Sequence, residues 1–453
     1  MIKRYWIFAI FCLLPVVVKG LGPHEIALLV NTNSEASIRI AEHFVSLREI
    51  PKSNIVRLGI PPEVLKSGRI SLEEFISSIW EPAWKVLRSN NSAERILAWC
   101  YSADFPILVT TDPPVSIIGI TFLRTKLPSP KCIRDGLYRS PLFCGPHRPW
   151  GSVYSAQSFD TYKEWLAEDY PLPAMMLGYT GENGNTINEV LQCIERGVQS
   201  DGTAPTGSIY FVVSDDVRST CRDWQFAGAS QELASKKVLS VITNVFPQKA
   251  SDVMGIMIGS TWVNGIENNK YLPGAMAEHL TSLAAVFDTA SQMKLTAWIK
   301  AGATITAGTV TEPMSIWTKF PSAYFYVHYA SGCTAIESLY QSIRCPLQIL
   351  LLGEPLAQPW APGMEVTLDV TGNEVSGEPE RVSMRVKSNK PLVFKRFCFM
   401  LDDTIIQDGN SSVLVIDSSR LKPGKHTIRA VAYSDGLIRF QKFAIKHFEK
   451  KKE

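Results

Sequence analysis

The sequence predicts an α/β domain, with a mainly parallel sheet and helices on both faces, followed by a small all-β sandwich. From Glu25 onward, short apolar runs alternate with segments that have the spacing of amphipathic helices. That alternation is typical of right-handed βαβ units. From residue 362, period-two runs are separated by turn dipeptides such as Asp408-Gly409 and Pro423-Gly424. Such a pattern favours an immunoglobulin-like sandwich.

The elements follow in order along the chain. Apolar runs predict strands at 25–31, 54–60, 95–101, 174–179, 208–213, 253–259, 305–310 and 348–352. Helical spacing predicts helices at 34–48, 71–87, 186–198, 221–237, 274–287, 294–301 and, in two pieces, 322–343. The segment 102–170 interrupts this alternation of strands and helices and is interpreted as an insertion that covers another part of the protein. The predicted domains are therefore α/β at 21–361 and Ig-like at 362–447, with a charged tail at 448–453.

The first 20 residues have the pattern of an export signal. Lys3 and Arg4 precede a nearly unbroken apolar run from residue 5 to 18, and cleavage is predicted after Gly20. The alternative is a retained membrane anchor, but the run is shorter than the ~20 apolar residues that span a bilayer. We therefore expect a secreted, periplasmic or cell-surface protein with no transmembrane segment after cleavage.

Composition narrows the class of protein. The chain has 453 residues, 45% apolar and 20% charged, which excludes a disordered or fibrous protein. The net charge is +3, and Lys3, Arg4 and Lys19 belong to the predicted signal. A nearly neutral mature chain argues against a nucleic-acid partner.

The cysteines predict one disulfide. Cys132 and Cys144 bracket a loop-like segment, and an exported chain meets oxidising conditions. The sequence has no C-x-x-C, H-x-x-x-H or H-E-x-x-H motif, so no metal site is predicted.

Polar residues recur after the predicted strands. In open α/β sheets, ligands bind beyond the carboxyl ends of the strands, so these residues predict a polar cleft. The alternative is helix capping, for which Ser, Thr, Asn and Asp are preferred. The predicted binding residues are Asn31, Asp215, Asp216, Arg218, Ser260, Thr261 and Glu354.

Three further residues are predicted to be catalytic. His279 can act as a general acid or base near neutral pH, while Glu312 and Asp104 follow predicted strands and can activate water or hold a cation. Asp104, Asp215, His279 and Glu312 are expected to lie together, roofed by part of 102–170. Otherwise His279 is a structural residue and the carboxylates anchor loops, for instance to Arg218.

Several motifs resemble known proteins. YSADFP, MLGYTGENGNT, PGAMAEHLTS, GTVTEP and LLGEPLAQPW, within about residues 25–362, resemble an uncharacterised family of secreted bacterial proteins. More distantly, the chain is similar to gingipain and caspase-like cysteine peptidases, which implies their α/β fold. The positions of their catalytic His-Gly and Cys are occupied here by Ser260-Thr261-Trp262 and Asp288-Thr289, so their dyad is absent.

Two classes of function remain open. The chain is either a hydrolase of an extracellular peptide or polymer, or a non-catalytic protein that binds a ligand or assembles at a surface. The absence of G-x-S-x-G, P-loop and G-x-G-x-x-G motifs argues against esterase, NTPase and dinucleotide-binding functions. The expected partner is an extracellular peptide or polysaccharide, and the sequence assigns no cofactor.

Overall fold

The computed structural model describes residues 20–147, 153–372, 379–417 and 421–450. A large, mostly parallel sheet with helices is followed by antiparallel β-sheets, as the sequence predicts. The predicted signal peptide, apart from Gly20, lies outside the described residues.

Among the described residues, the main sheet and a small three-stranded sheet contain thirteen strands, and the C-terminal module contains seven. The strands are β1 Ile26–Asn31, β2 Ile55–Leu58, β3 Arg69–Ser71, β4 Ala98–Tyr101, β5 Leu108–Thr110, β6 Val115–Ser116, β7 Ala174–Met176, β8 Ser208–Val212, β9 Ser240–Thr243, β10 Val253–Gly259, β11 Tyr271–Leu280, β12 Ile305–Thr309, β13 Ile349–Gly353, β14 Met364–Gly372, β15 Pro379–Ser388, β16 Phe394–Leu401, β17 Thr404–Gly409, β18 Val413–Val415, β19 Gly424–Ser434 and β20 Gln441–Lys450.

The helices are mostly short. They are α1 Glu35–Arg48, α2 Pro62–Ser67, α3 Leu72–Phe75, α4 Glu81–Ser89, α5 Ile117–Phe122, α6 Pro130–Arg134, α7 Phe159–Leu166, α8 Ile187–Ser200, α9 Val217–Thr220, α10 Phe226–Ser235, α11 Thr296–Ala301, α12 Tyr324–Ala330 and α13 Ala335–Ser342. A π-helical turn, Ile76–Trp80, joins α3 to α4.

The ten strands of the main sheet have the order β2-β1-β4-β7-β13-β12-β11-β10-β8-β9. β13 is antiparallel to β12, whereas β12, β11, β10, β8 and β9 are successively parallel. The residue before β13, Gln348, accepts a hydrogen bond from Val310, which follows β12. Beyond β7 and β11, Tyr179 stacks on Phe287 with ring centroids 3.9 Å apart. The chain segments that follow β7, β11 and β12 therefore meet at one edge, which we call the carboxyl edge.

Burial explains why the central strands are largely apolar. Every residue of β1, β4, β12 and β13 is buried, because helices cover both faces of a parallel sheet. Helix α8 packs against α1 and α11, and α12 packs against α10 and α13. In the C-terminal module, the sheets β14-β15-β18 and β17-β16-β19-β20 share a core that includes Val382, Phe399 and Ala430.

The prediction of a helix at 274–287 is wrong. This segment contains the end of β11, which pairs with β10 from Met276 to Leu280, and an irregular loop follows. Its Ala, Met, Glu and Leu residues favour a helix by intrinsic propensity, but burial between two parallel strands overrides that preference. The sequence also missed β9 and the three-stranded sheet β3-β5-β6. The predicted tail is shorter than expected, since β20 continues to Lys450.

A buried polar cluster joins the two domains. The Nε2 atom of His24 lies 2.7 Å from the hydroxyl of Tyr433 in β19. The Glu25 carboxylate accepts hydrogen bonds from the Gly22 N–H at 2.9 Å and from the Gln441 Nε2 of β20 at 2.7 Å. Burial raises the pKa of Glu25 from its ordinary value near 4.5 to about 8. The Glu25 carboxyl group is therefore protonated in the folded protein at neutral pH.

This protonation predicts a pH dependence of stability. The folded chain retains a proton on Glu25 that the unfolded chain loses above pH 4.5. The stabilisation of the folded state by this proton is therefore complete below pH 4.5 and is lost as pH rises through about 8. Replacing Glu25 by Gln removes the titration. Between pH 5 and 8.5, we expect the wild-type free energy of unfolding to fall relative to Glu25→Gln by at least about 1.4 kcal/mol, which is one pKa unit. Denaturant titrations across this range test it, with Glu35→Gln on the exposed surface of α1 as the control. Parallel curves for wild type and Glu25→Gln would contradict it.

Candidate functional site

At the carboxyl ends of β1 and β4, two predicted site residues lie together. The Asn31 Nδ2 donates to the Asp104 carbonyl at 2.8 Å. The Asp104 carboxylate accepts from the Ser34 hydroxyl at 2.6 Å and from the Thr180 hydroxyl at 2.7 Å. Asp104 itself has a positive φ of 54°, a backbone conformation uncommon outside glycine. These bonds tie the ends of β1 and β4 to the loop after β7, so Asp104 serves as a loop anchor.

His279 lies inside the protein and not in a cleft. Its side chain is on the face of β11 covered by α11, and none of the residue is exposed. Its Nδ1 accepts from the Trp298 Nε1–H at 2.9 Å, so its Nε2 carries the proton and donates to the Met293 carbonyl at 3.0 Å. Burial lowers the pKa of His279 to about 4. The imidazole is therefore neutral, with both nitrogens occupied.

The neighbouring Glu278 points to the opposite face of β11, because side chains alternate along a strand. Its carboxylate lies 2.5 Å from the Arg222 guanidinium, and both side chains are buried. Arg222 also donates to the Ile258 carbonyl of β10 at 2.8 Å. Burial raises the pKa of Glu278 to about 7, against the opposing attraction of Arg222. This pair connects the segment between α9 and α10 to the sheet.

The other predicted residues are dispersed. Glu312 is exposed, and its carboxylate accepts only from the nearby Met314 N–H, at 2.8 Å, among the bonds of the described residues. Asp216 caps α9 and pairs with Arg218 at 3.1 Å, while Asp215 is exposed beside them. His279 is buried beneath α11, whereas Glu312 and Asp215 are exposed. Asp104 follows β4, which is three strands from β12 and six from β8 in the sheet order. The predicted catalytic cluster of Asp104, Asp215, His279 and Glu312 therefore does not form.

Glu354 lies at the edge opposite to the one predicted. Because β13 is antiparallel to β12, its carboxyl end is beside the start of β12, where the Glu354 N–H donates to the Thr304 carbonyl at 3.2 Å. The Glu354 carboxylate pairs with Arg48 at 2.6 Å, and the same guanidinium pairs with Asp201. All three side chains are almost completely buried. Glu354 is therefore part of a structural ion network.

The predicted disulfide is absent. Cys132 and Cys144 are both free thiols. Cys144 is buried, and its sulfur lies 2.8 Å from the Tyr162 hydroxyl, whereas Cys132 is partly exposed in α6. Cys144 therefore contacts α7 through Tyr162 and is not bonded to Cys132.

Two clefts open at the carboxyl edge, and Asn183 lines the second of them. The first has a volume of about 230 Å³ and lies between the small sheet and the loops after β7 and β11. Ile107 and Leu108 contribute to its wall, so only the start of segment 102–170 covers it. Arg69 and Asp288 form an exposed ion pair there, 3.2 Å apart. The lining residues are Leu65, Lys66, Ser67, Gly68, Arg69, Ile107, Leu108, Tyr179, Gly181, Glu182, Val286, Phe287, Asp288 and Val310.

The second cleft, of about 280 Å³, is bordered by Trp262, which the sequence analysis did not predict as a binding residue. Trp262 follows β10 and is 54% exposed. The predicted binding residues Ser260 and Thr261 shape its loop: the Ser260 hydroxyl donates to the Trp262 carbonyl at 2.6 Å, and the Thr261 carbonyl accepts from the Met293 N–H. A large aromatic residue three positions after a buried strand was the signal that could have identified it.

Polar groups complete the second cleft. The Gln292 Oε1 accepts from the Thr281 hydroxyl and the Leu283 N–H, which orients its Nε2 amino group away from these bonds. The Asn183 Nδ2 donates to the Phe287 carbonyl at 2.7 Å, which leaves its Oδ1 as an acceptor. Lys300 adds an exposed ammonium group. Donors, acceptors and an aromatic ring therefore surround one opening.

In the described part of the chain, no group of three or more His, Cys, Asp or Glu side chains could hold a metal ion. None of the helices in these ranges has the length and apolar character needed to cross a bilayer.

Comparisons with known proteins leave the family open. No family model and no curated protein matches the chain. The fibronectin(III)-like modules of Clostridium thermocellum CbhA align over 19% of this chain and 97% of theirs, at 16% identity and a TM-score of 0.16. The Clostridium perfringens spore cortex lytic enzyme SleM aligns over 64% of this chain and 83% of its own, at 10% identity and a TM-score of 0.17. Similarities this weak carry no argument about function.

Proposed function

We propose that this chain is an exported, non-catalytic protein that binds an extracellular polysaccharide in the second cleft at the carboxyl edge. The observation that carries the proposal is the exposed indole of Trp262 beside side-chain amides. A sugar ring has an apolar face of C–H groups, which packs on an aromatic ring, and a rim of hydroxyls, which bond to amides. Trp262, Gln292 and Asn183 offer these partners around one opening.

The non-catalytic part of the proposal rests on His279. This was the predicted proton-transfer group, and its two ring nitrogens are bonded to Trp298 and Met293 in the interior. The alternative, a hydrolase, requires a group that can exchange protons with a bound substrate. Asp104 already accepts from two hydroxyls, and Glu312 stands apart from it.

We further propose that the α/β domain is a peptidase-like fold of the gingipain and caspase-like kind that lacks their catalytic dyad. Ser260-Thr261-Trp262 follows β10, and Asp288-Thr289 follows β11, so neither position supplies the required His or Cys. The antiparallel module directly after β13 is in the order that the resemblance implies.

Binding to soluble oligosaccharides of about six units tests the proposal. Neutral, N-acetylated and uronic-acid-containing chains would be titrated by calorimetry, beside a peptide library. For the sugar that binds, we expect Trp262→Ala to raise the dissociation constant at least about tenfold, equivalent to 1.4 kcal/mol, because an aromatic residue often dominates an interface.

The control is Trp165→Ala, since Trp165 is also strongly exposed but lies at the end of α7. It should change affinity less than about twofold. Binding of peptides but not of sugars would replace the proposed ligand. Release of shortened sugars by the wild type, but not by Trp262→Ala, would show that the protein is a hydrolase.

A further inference from the structure

A cavity of about 330 Å³ lies between helices α10 and α12, and we call it the helix cavity. Residues 153–156 and Ile438 of the C-terminal module complete its wall. Among the described residues, it shares none of its lining with the two clefts at the carboxyl edge. Its volume is that of an ordinary small-molecule site.

Two polar side chains of α12 line the helix cavity without hydrogen-bond partners. Tyr324 is 5% exposed and His328 is 1% exposed, and their spacing of four residues places them on the same side of the helix. Among the described residues, neither the Tyr324 hydroxyl nor the His328 Nε2 has a hydrogen-bond partner. Buried polar groups in native proteins are normally hydrogen-bonded. The helix cavity is therefore a polar site whose partner is not supplied by the protein.

Two charged side chains line the helix cavity from α10. Glu232 lies in α10, and Lys236 directly follows the last residue of this helix, again four residues apart. In the described part of the chain, neither of them forms an ion pair. The Tyr324 hydroxyl reaches α10 at Gly228, where an added Cβ atom would lie 2.7 Å from it. The two helices therefore direct matching pairs of polar groups into one space.

Electrostatic effects show which of these groups lie close together. Burial raises the pKa of Tyr324, and the Glu232 carboxylate raises it further. Burial lowers the pKa of His328 to about 3, and the Lys236 ammonium group contributes to this shift. The imidazole is therefore neutral, and one of its nitrogens carries a hydrogen that it can donate. The helix cavity has a negatively charged end at Glu232 and Tyr324 and a positively charged end at Lys236 and His328.

This arrangement fits a small ligand that carries both charges. An ammonium group and an imidazole N–H bind a carboxylate, and a carboxylate binds an ammonium group, through charge-assisted hydrogen bonds. The Cβ atoms of residues four apart on a helix are only about 5–6 Å apart, so Glu232 and Lys236 can reach the two charges of one molecule. Val153, Val327 and Ile438 add an apolar wall.

We propose that the helix cavity binds a free α-amino acid with an apolar side chain. The carboxylate of this ligand bonds Lys236 and His328, its ammonium group bonds Glu232 and Tyr324, and its side chain packs on the apolar wall. This inference does not depend on the polysaccharide proposed for the second cleft, because the described residues that line the two sites are different.

Calorimetric titration of the full chain with L-leucine and L-phenylalanine tests the site. We expect at least one of them to bind with a dissociation constant below about 1 mM. The N-acetyl and amide derivatives of the same amino acid each lack one charge, and each should bind at least about tenfold more weakly. If neither amino acid binds at about 10 mM, or if either derivative binds as tightly as the free amino acid, the proposal is overturned.

Substitutions at the two exposed charges assign the ends of the ligand. Lys236→Met should weaken binding of the free amino acid at least about tenfold and abolish its advantage over the amide, because the carboxylate then has no counter-ion. Glu232→Gln should instead abolish the advantage over the N-acetyl derivative. The control is Lys237→Met, since Lys237 is exposed beside the cavity but is not among its lining residues. It should change affinity less than about twofold. Equal losses in Lys236→Met and Lys237→Met, or wild-type affinity in Lys236→Met and Glu232→Gln, would overturn the proposed site.

Discussion

Arg48→Ala should lower the free energy of unfolding of the α/β domain by about 3–5 kcal/mol. Arg48 ends α1, is 2% exposed and bonds Asp201 and Glu354, whose side chains are buried. Burial alone would lower the pKa of this guanidinium, but the two carboxylates raise it above its ordinary value. Removing the guanidinium leaves two buried carboxylates without their counter-ion, and such charges are costly.

The chain offers a matched control for Arg48. Arg39, on the same helix, is half exposed and lies 3.9 Å from the exposed Glu35. Arg39→Ala should change stability by less than about 0.5 kcal/mol, as is usual for a surface ion pair. Guanidinium unfolding followed by circular dichroism would measure both variants. Equal losses would contradict the distinction between a buried network and a surface pair.

His279→Ala should lower the free energy of unfolding by about 3 kcal/mol. The substitution deprives the Trp298 Nε1–H and the Met293 carbonyl of their partner, and each unpaired buried group costs ~1–3 kcal/mol. It also opens a cavity beneath α11. A catalytic histidine in an open cleft would behave in the opposite way, with turnover lost and stability retained.

The control for His279 is His43→Ala. His43, on α1, is partly exposed and lies 3.0 Å from Glu195, so its removal should cost less than about 1 kcal/mol. Thermal and denaturant unfolding of both variants separate the two roles. A stable His279→Ala protein would refute the structural role.

The sequence by itself determined most elements and the division between α/β and all-β parts. Apolar runs such as Ile26–Asn31 and Val253–Gly259 become buried strands, and the helical spacing at 34–48 becomes α1. These signals are local: periodicity and capping act within a few residues, so they can be interpreted without knowing what packs against them. The hydrogen bond from Asn31 to the Asp104 carbonyl also follows from a general rule, since residues after the carboxyl ends of parallel strands meet at one edge of the sheet.

Only the tertiary structure decided the site. Segment 274–287 favours a helix by propensity, yet its first part is inserted between β10 and β12, which encloses His279. The direction of β13 moves Glu354 to the far edge of the sheet, and direction cannot be deduced from an apolar run. Whether Trp262 and the apolar side chains of β9 are exposed depends on which other segments of the chain pack over them. Strand direction and burial are set by contacts between residues far apart in the chain, and a local pattern does not record those contacts.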